Sequence, residues 1–152
     1  MPIGNGKLIE DVKTVQVQLP VSTTTAATLF NGATAANASG IDGQDFSEIV
    51  IALNAGQVTG NGTLDVILME SDTDSAAAAS AVSDANFDQI TTANDNALYV
   101  GSALNKYLKR YLFVRSVKGG TGSVDFAITA QESRYCKVPV SQSNDVAFDI
   151  QE

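Results

Sequence analysis

The sequence predicts one all-β domain, a jelly-roll-like β-sandwich with a short helix or loop excursion around residues 73–95. Seven or eight short apolar segments recur along the chain, several of them alternate apolar with polar residues, and Gly-rich stretches separate them. The chain has 152 residues, 44% of them hydrophobic, which is enough for one core. We assign residues 1–12 to an N-terminal arm and residues 13–152 to the β-sandwich domain.

The first predicted strand is TVQVQLPV, residues 14–21. Its apolar residues alternate with polar ones, which predicts one buried face. Pro20 cannot donate a backbone hydrogen bond, so this strand should lie at the edge of a sheet. A short strand and a loop are then expected within residues 27–45. The predicted buried face of the first strand comprises Val15, Val17, Leu19 and Val21.

Two further strands are predicted at residues 47–56 and 62–72, joined as a hairpin by AGQVTGNG. Glycine supplies the positive φ that such a loop requires. Both strands are partly apolar on both faces, which places them centrally in a two-layer fold. The aligned apolar residues are Ile49, Ile51 and Leu53 in the first strand, and Leu64, Val66 and Leu68 in the second.

Residues 71–90 break the strand pattern with a run of alanines. Alanine favours a short surface helix with Ser75 as its N-cap, and a long loop is the alternative. A short strand follows at residues 96–103, and a last one is predicted at DVAFDI, residues 145–150.

The segment KRYLFVRSVKGGTGSVDFAITA, residues 109–130, predicts another hairpin with KGGTG as its turn. The four consecutive apolar residues Tyr111 to Val114 form its buried centre. In strand geometry, one face carries Tyr107, Lys109, Tyr111, Phe113 and Arg115, and the other carries Leu108, Arg110, Leu112 and Val114.

The charge is acidic and unevenly spread. The net charge is -8, with 12 acidic and 2 basic residues in positions 1–100 but 5 acidic and 7 basic residues in positions 101–152. Nucleic acid is therefore an unfavourable partner, because phosphate contacts need a basic surface. No apolar run is long enough to span a bilayer, so no membrane partner is expected.

Several kinds of catalytic or metal site are excluded by composition. The chain has no His, which removes histidine-dependent nucleophilic catalysis and His-ligated metals. The single Cys136 cannot form an internal disulfide and is interpreted as a small buried hydrophobe. The turn ESDTDS, residues 70–75, lacks the Gly and Glu of an EF-hand. A carboxylate pair for glycoside hydrolysis is conceivable among Asp65, Glu70, Asp72, Asp74 and Asp125, but nothing fixes its separation.

Basic residues flank the apolar centre of segment 109–130. One interpretation is that their stems cover apolar surface while their charged ends stay in water. The other is a rim that meets an acidic neighbour, either another copy of the chain or a larger partner. The candidate contact residues are Lys106, Lys109, Arg110, Arg115 and Lys118.

Residues 47–135 resemble the head decoration (cement) proteins of tailed phages. The family pattern is a strand ending in an ESD-type turn, a variable excursion, a KRY-type strand and a Gly/Thr turn. The matching pieces are Met69 to Asp72, Lys109 to Arg115, and Gly119 to Gly122. The Ala run replaces an aromatic often found in the excursion, with Phe87 as its nearest candidate, and the tail beyond Arg134 has no counterpart.

The resemblance implies a non-enzymatic, cofactor-free protein that forms a homo-oligomer, most often a trimer. It would be made in the host cytoplasm and would bind the major capsid protein on the outer surface of the virion. There it would hold neighbouring capsomers together against the pressure of packaged DNA. The alternative is a carbohydrate-binding or adhesin-like module of a virion fibre, which would need surface aromatics. The available tyrosines are Tyr99, Tyr107, Tyr111 and Tyr135.

Overall fold

Ten β-strands form the fold in a computed structural model, which describes residues 12–134 and the backbone of residues 146–150. Within this part of the chain the helical elements are two 3₁₀ turns, at Ala76–Ala78 and Asn105–Tyr107. The described residues contain no helix that is long and apolar enough to cross a membrane. The strands are β1 (Val12–Thr23), β2 (Ala27–Phe30), β3 (Ile41–Asp42), β4 (Glu48–Val58), β5 (Thr63–Ser71), β6 (Ser80–Asn86), β7 (Ala97–Leu104), β8 (Tyr111–Gly119), β9 (Val124–Ser133) and β10 (Val146–Ile150).

The strands form two sheets packed face to face. The front sheet has the order β1-β9-β4-β7-β10, and the back sheet has the order β2-β8-β5-β6, with β3 also paired to β8. Four antiparallel pairs are nested in the chain, namely β1 with β9, β2 with β8, β4 with β7 and β5 with β6. This is the long hairpin, rolled up across two sheets, that defines a jelly roll. The predicted fold class is confirmed.

Alternating residues of both sheets fill the space between them. Ile49, Ile51 and Leu53 of β4 face Leu64, Val66 and Leu68 of β5, and all six are at most 1% exposed. Both strands lie centrally in their sheets, as predicted. Burial of each such side chain contributes about 1.5–3 kcal/mol to stability. The core is completed chiefly by Val17, Ile41, Ala55, Val58, Ala85, Phe87, Ile90, Ala103, Leu112, Val114, Val124, Phe126, Ile128 and Ala130.

A second, smaller apolar cluster covers the outer face of the back sheet. Phe113 of β8 is fully buried there against Met69 of β5 and Ala76 of the first 3₁₀ turn. Strand β8 is therefore buried on both faces, which explains the unbroken apolar run from Tyr111 to Val114.

The two predicted hairpins are wrong. Strands β4 and β5 lie in different sheets, and so do β8 and β9, so each connection is an arch that crosses from sheet to sheet. A Gly-rich stretch predicts a tight turn but not which sheet receives the next strand. The arches pack on each other: Thr59 N–H donates to Ser123 O at 2.9 Å. Gly120 (φ 66°) and Gly122 (φ 115°) are required, since a Cβ would collide with Asn61 O and Thr59 O respectively.

Most of the excursion runs along the edge of β5. Residues 80–86 form β6, and Leu64 and Ile90 exchange backbone hydrogen bonds of 3.0 and 2.9 Å. Ser75 precedes the first 3₁₀ turn but makes no side-chain capping bond. Neither a helix nor a plain loop therefore describes the segment. Pairing with β5 and burial of Phe87 outweigh the helix propensity of the alanines.

Strand β1 is an edge strand, as Pro20 predicted, but it is irregular. Its register with β9 shifts on both sides of Gln18, which rotates the following residues. Val17 is buried at 3% exposure, whereas Leu19 is 68% exposed. The prediction that Leu19 shares the buried face is therefore wrong.

The predicted strand at residues 145–150 is confirmed by β10, which pairs in parallel with β7. The predicted arm lies outside the described residues, except for Val12, which begins β1. Cys136 also lies outside them.

Candidate functional site

Three of the five predicted contact residues meet at one end of the sandwich. Lys106 belongs to the second 3₁₀ turn, and Lys109 and Arg110 follow it, just before β8 begins at Tyr111. They line an open groove of about 620 Å³, called the rim groove below. Its other lining residues are Gly43, Gln44, Phe46, Ser47, Leu104, Asn105 and Leu108.

The predicted strand faces are wrong between Tyr107 and Arg110. A turn closed by a bond from Leu108 N–H to Asn105 O occupies this region, and Asn105 N–H donates to Ser47 O. Ladder pairing starts only at Tyr111, opposite Asp42 of β3. The basic residues therefore project from a loop rather than from a strand.

Lys109 joins β8 to the end of β5. Its backbone N–H donates to Glu70 Oε2 at 2.9 Å, and its Nζ lies 3.2 Å from Asp72 Oδ2. Both charged ends of the ion pair are well exposed, so water and salt screen it. The backbone bond fixes the loop whether or not the ion pair is formed.

Arg110 is bound by Asp42 through two parallel bonds. Nε lies 3.1 Å from Oδ1 and Nη2 lies 2.8 Å from Oδ2, and the guanidinium lies 5.0 Å from the centre of the Tyr111 ring. The bond to the guanidinium lowers the pKa of the Asp42 carboxyl, and the carboxylate in turn raises the pKa of Arg110. This planar, two-bond geometry is specific to Arg.

Lys106 is the cation of the rim groove that has no ion-pair partner among the described residues. Its Nζ lies 4.5 Å from the centre of the Tyr107 ring, and no described carboxylate forms an ion pair with it. Tyr107 is itself 48% exposed. Together they form a polar and aromatic projection beside the groove.

The other two predicted residues lie elsewhere. Arg115 is half-buried in the middle of β8, on its outer face. Lys118 is 3% exposed at the opposite end of β8, about 26 Å along the strand from Arg110. Its Nζ donates to Thr24 O at 2.9 Å and Gly120 O at 3.1 Å. Strand alternation from Leu112 to Lys118 predicts this inward orientation, so the prediction of Lys118 as a contact residue overlooked a signal present in the sequence.

A buried carboxylate under the rim groove was also missed. Glu132 is fully buried, and its Oε2 lies 3.3 Å from Lys13 Nζ on β1. Its Oε1 would lie 3.3 Å from a Cβ on Gly43, a lining residue of the groove. Burial raises the pKa of Glu132, although Lys13 and the neighbouring Asn105 amide favour the charged form. Alternation from Ile128 through Ala130 predicts that Glu132 points inward.

The carboxylates considered for catalysis make contacts within the chain. Asp65 accepts from Gln89 Nε2, Asp74 accepts from Gly40 N–H at 2.5 Å, and Glu70 and Asp72 both contact Lys109. Asp125 lies at the opposite end, in the groove that contains Pro20 and Asn54. Among the described side chains, no group of three or more acidic or Cys residues is placed to hold a metal ion.

The three described tyrosines of the alternative hypothesis do not form one platform. Tyr99 is partly buried, and its hydroxyl donates to Asn94 O at 2.5 Å. Tyr111 lies under Arg110, and Tyr107 is the exposed one. Tyr135 lies outside the described residues.

No protein-family model, curated protein or solved structure matches the chain significantly.

Proposed function

We propose that this protein is a non-enzymatic decoration protein that binds the outer surface of a phage capsid as a homotrimer and stabilises the head. The observation that carries the proposal is the contact between the two motifs of the family resemblance. Glu70 and Asp72 of the ESD-type turn hold the backbone and side chain of Lys109, at the start of the KRY-type segment. The motifs are 39 residues apart in sequence, yet they form one joint at one end of the sandwich.

The third motif supports the proposal in a similar way. Gly120 and Gly122 of the Gly/Thr turn let the β8–β9 arch pack tightly on the β4–β5 arch. The resemblance therefore covers residues that brace both ends of the jelly roll. A cement protein needs this rigidity, because a compliant link could not transmit force between capsomers.

The rim groove is the surface that we assign to the major capsid protein. Lys106 and Tyr107 project beside it, and no described carboxylate competes with a capsid carboxylate for Lys106. A capsid carboxylate would have to compete with Asp72 for Lys109 and with Asp42 for Arg110. Each copy then contributes a weak contact, and a trimer gains affinity by binding several capsid subunits at once.

The direct test is to mix purified protein with undecorated heads and image them by electron microscopy. Ordered density at three-fold or quasi-three-fold positions on the outer surface is the expected result. Saturable binding to a glycan array together with no binding to heads would reject capsid decoration and favour the fibre-module alternative.

A further inference from the structure

Strand β10 lies outside the nested pairs of the jelly roll, where it pairs with β7 and also lies against β6 of the back sheet. The nested antiparallel pairs from β1 with β9 to β5 with β6 already form both sheets and their shared core. In contrast, β10 pairs in parallel with β7 through four residue pairs, with a shift between Val146 and Phe148. It is an added strand on the free edge of a completed front sheet.

The β7 edge would otherwise be open. Strand β7 has eight residues, and its other edge is occupied by β4 from Glu48 to Ala55. An open strand edge presents unpaired N–H and C=O groups that readily accept another strand. The edge therefore binds an extended segment by main-chain pairing, whichever chain supplies it.

The connector to β10 is longer than its path requires. Three strand spacings and a shift of four residues separate the end of β9 from the start of β10, which is about 20 Å. Residues 135–145 can extend to about 40 Å. This length lets β10 reach the β7 edge of an adjacent copy as well as its own.

We propose that β10 is exchanged between copies, so that β10 of one chain docks on β7 of the next and the chain of exchanges closes into a ring. Exchange preserves every β7–β10 hydrogen bond, so its free-energy cost is low. Each exchanged strand also links its own copy to the neighbouring copy. The partner is a second copy of this chain. The inference does not depend on capsid binding, since it concerns only the contact between copies.

A disulfide between the two strands tests the exchange. Val100 and Val146 are register partners in β7 and β10. A chain with V100C and V146C, in a C136S background, is purified as its native oligomer, oxidised, and run on a denaturing gel without reductant. Exchange predicts covalently linked multimers, because each bond joins two chains. A chain with V100C and Q16C is the control, and it should stay monomeric on the gel.

Two results would overturn the proposal. One is a double-cysteine chain that oxidises fully but runs only as a monomer, because its bond then lies within one chain.

The other comes from a chain that ends at Asn144, measured by light scattering next to the full chain. Exchange predicts dissociation with retained β-sheet circular dichroism, so an oligomer of unchanged subunit number would contradict it. A full-length protein that stays monomeric at every concentration would reject exchange and the proposed trimer together, while the gel result concerns exchange alone.

Discussion

At the residue scale, Glu132 has the least favourable environment of the described carboxylates whose pKa is shifted. It is fully buried, Lys13 is its one ion-pair partner among the described residues, and burial raises its pKa. A carboxyl whose pKa is higher in the folded state binds its proton more tightly there than in the unfolded chain. Glu132 therefore favours folding at low pH, and this contribution is lost as pH rises through the pKa values of the unfolded and then the folded state.

The first prediction concerns this pH dependence. We expect E132Q to be more stable than the wild-type chain near pH 7, because no charge is then buried. The difference should shrink as pH falls through the raised pKa of folded Glu132, and it should be smallest below the ordinary Glu pKa of about 4.5. Urea denaturation at several pH values measures it. The exposed carboxylate variant D72N is the control, and a constant difference between E132Q and wild type at all pH values would contradict the assignment.

The second prediction concerns the rim groove. K109E with R110E should weaken trimer or capsid binding and leave the monomer folded, because both side chains are exposed and their ion pairs contribute little to stability. Sedimentation with undecorated heads and circular dichroism measure the two effects. T25E with T121E adds acidic charge at the opposite end and should bind normally. If the variant with both charges reversed binds as well as the wild type, Lys109 and Arg110 are only solvated loop residues and not contact residues.

At the scale of elements, burial along the bulged strand β1 does not follow simple alternation. Val17 points into the core, whereas the register shifts turn Leu19 out to solvent. We predict that V17A lowers the free energy of unfolding by about 2 kcal/mol and that L19A changes it by less than about 0.5 kcal/mol. Denaturant unfolding measures both. Equal losses would mean that β1 runs without the bulge.

The stacked arches give a fourth prediction. G122A should lower the free energy of unfolding by more than about 2 kcal/mol, since the new Cβ adds the cost of a positive φ to a collision with Thr59 O. T121A, one position away and exposed, should stay within about 0.5 kcal/mol. Thermal and urea unfolding compare the two, and similar losses would argue against close packing of the arches.

At the scale of the whole molecule, sequence patterns predict which strands lie centrally in a sheet, but they do not predict how the strands are connected. The repeated apolar face of Ile49, Ile51 and Leu53 and the continuous run at Tyr111 to Val114 locate central strands, because both are direct consequences of burial. The signals in the Gly-rich turns are local, and a hairpin and an arch both need positive φ. Which sheet receives β5 or β9 depends on partners far away in the chain.

The candidate site was predicted in part for the same reason. Lys106, Lys109 and Arg110 are neighbours in sequence, so their proximity follows directly. Their acidic partners Asp42 and Asp72 come from distant segments, and only the fold brings them near. Strand alternation alone predicts that Lys118 and Glu132 point inward. Charged residues are rarely buried, however, so their residue type argues against this prediction.

The nested strand pairs determine the order in which a ribosome can complete this molecule. The innermost pair, β5 with β6, is available early, whereas β1 has no partner until β9 has emerged. About 110 residues separate the end of β1 from the end of β9, which takes about 5–20 s to translate. During that interval the β1 segment has no partner strand. Pro20 lacks a backbone N–H, which discourages this segment from pairing with the same segment of another nascent chain.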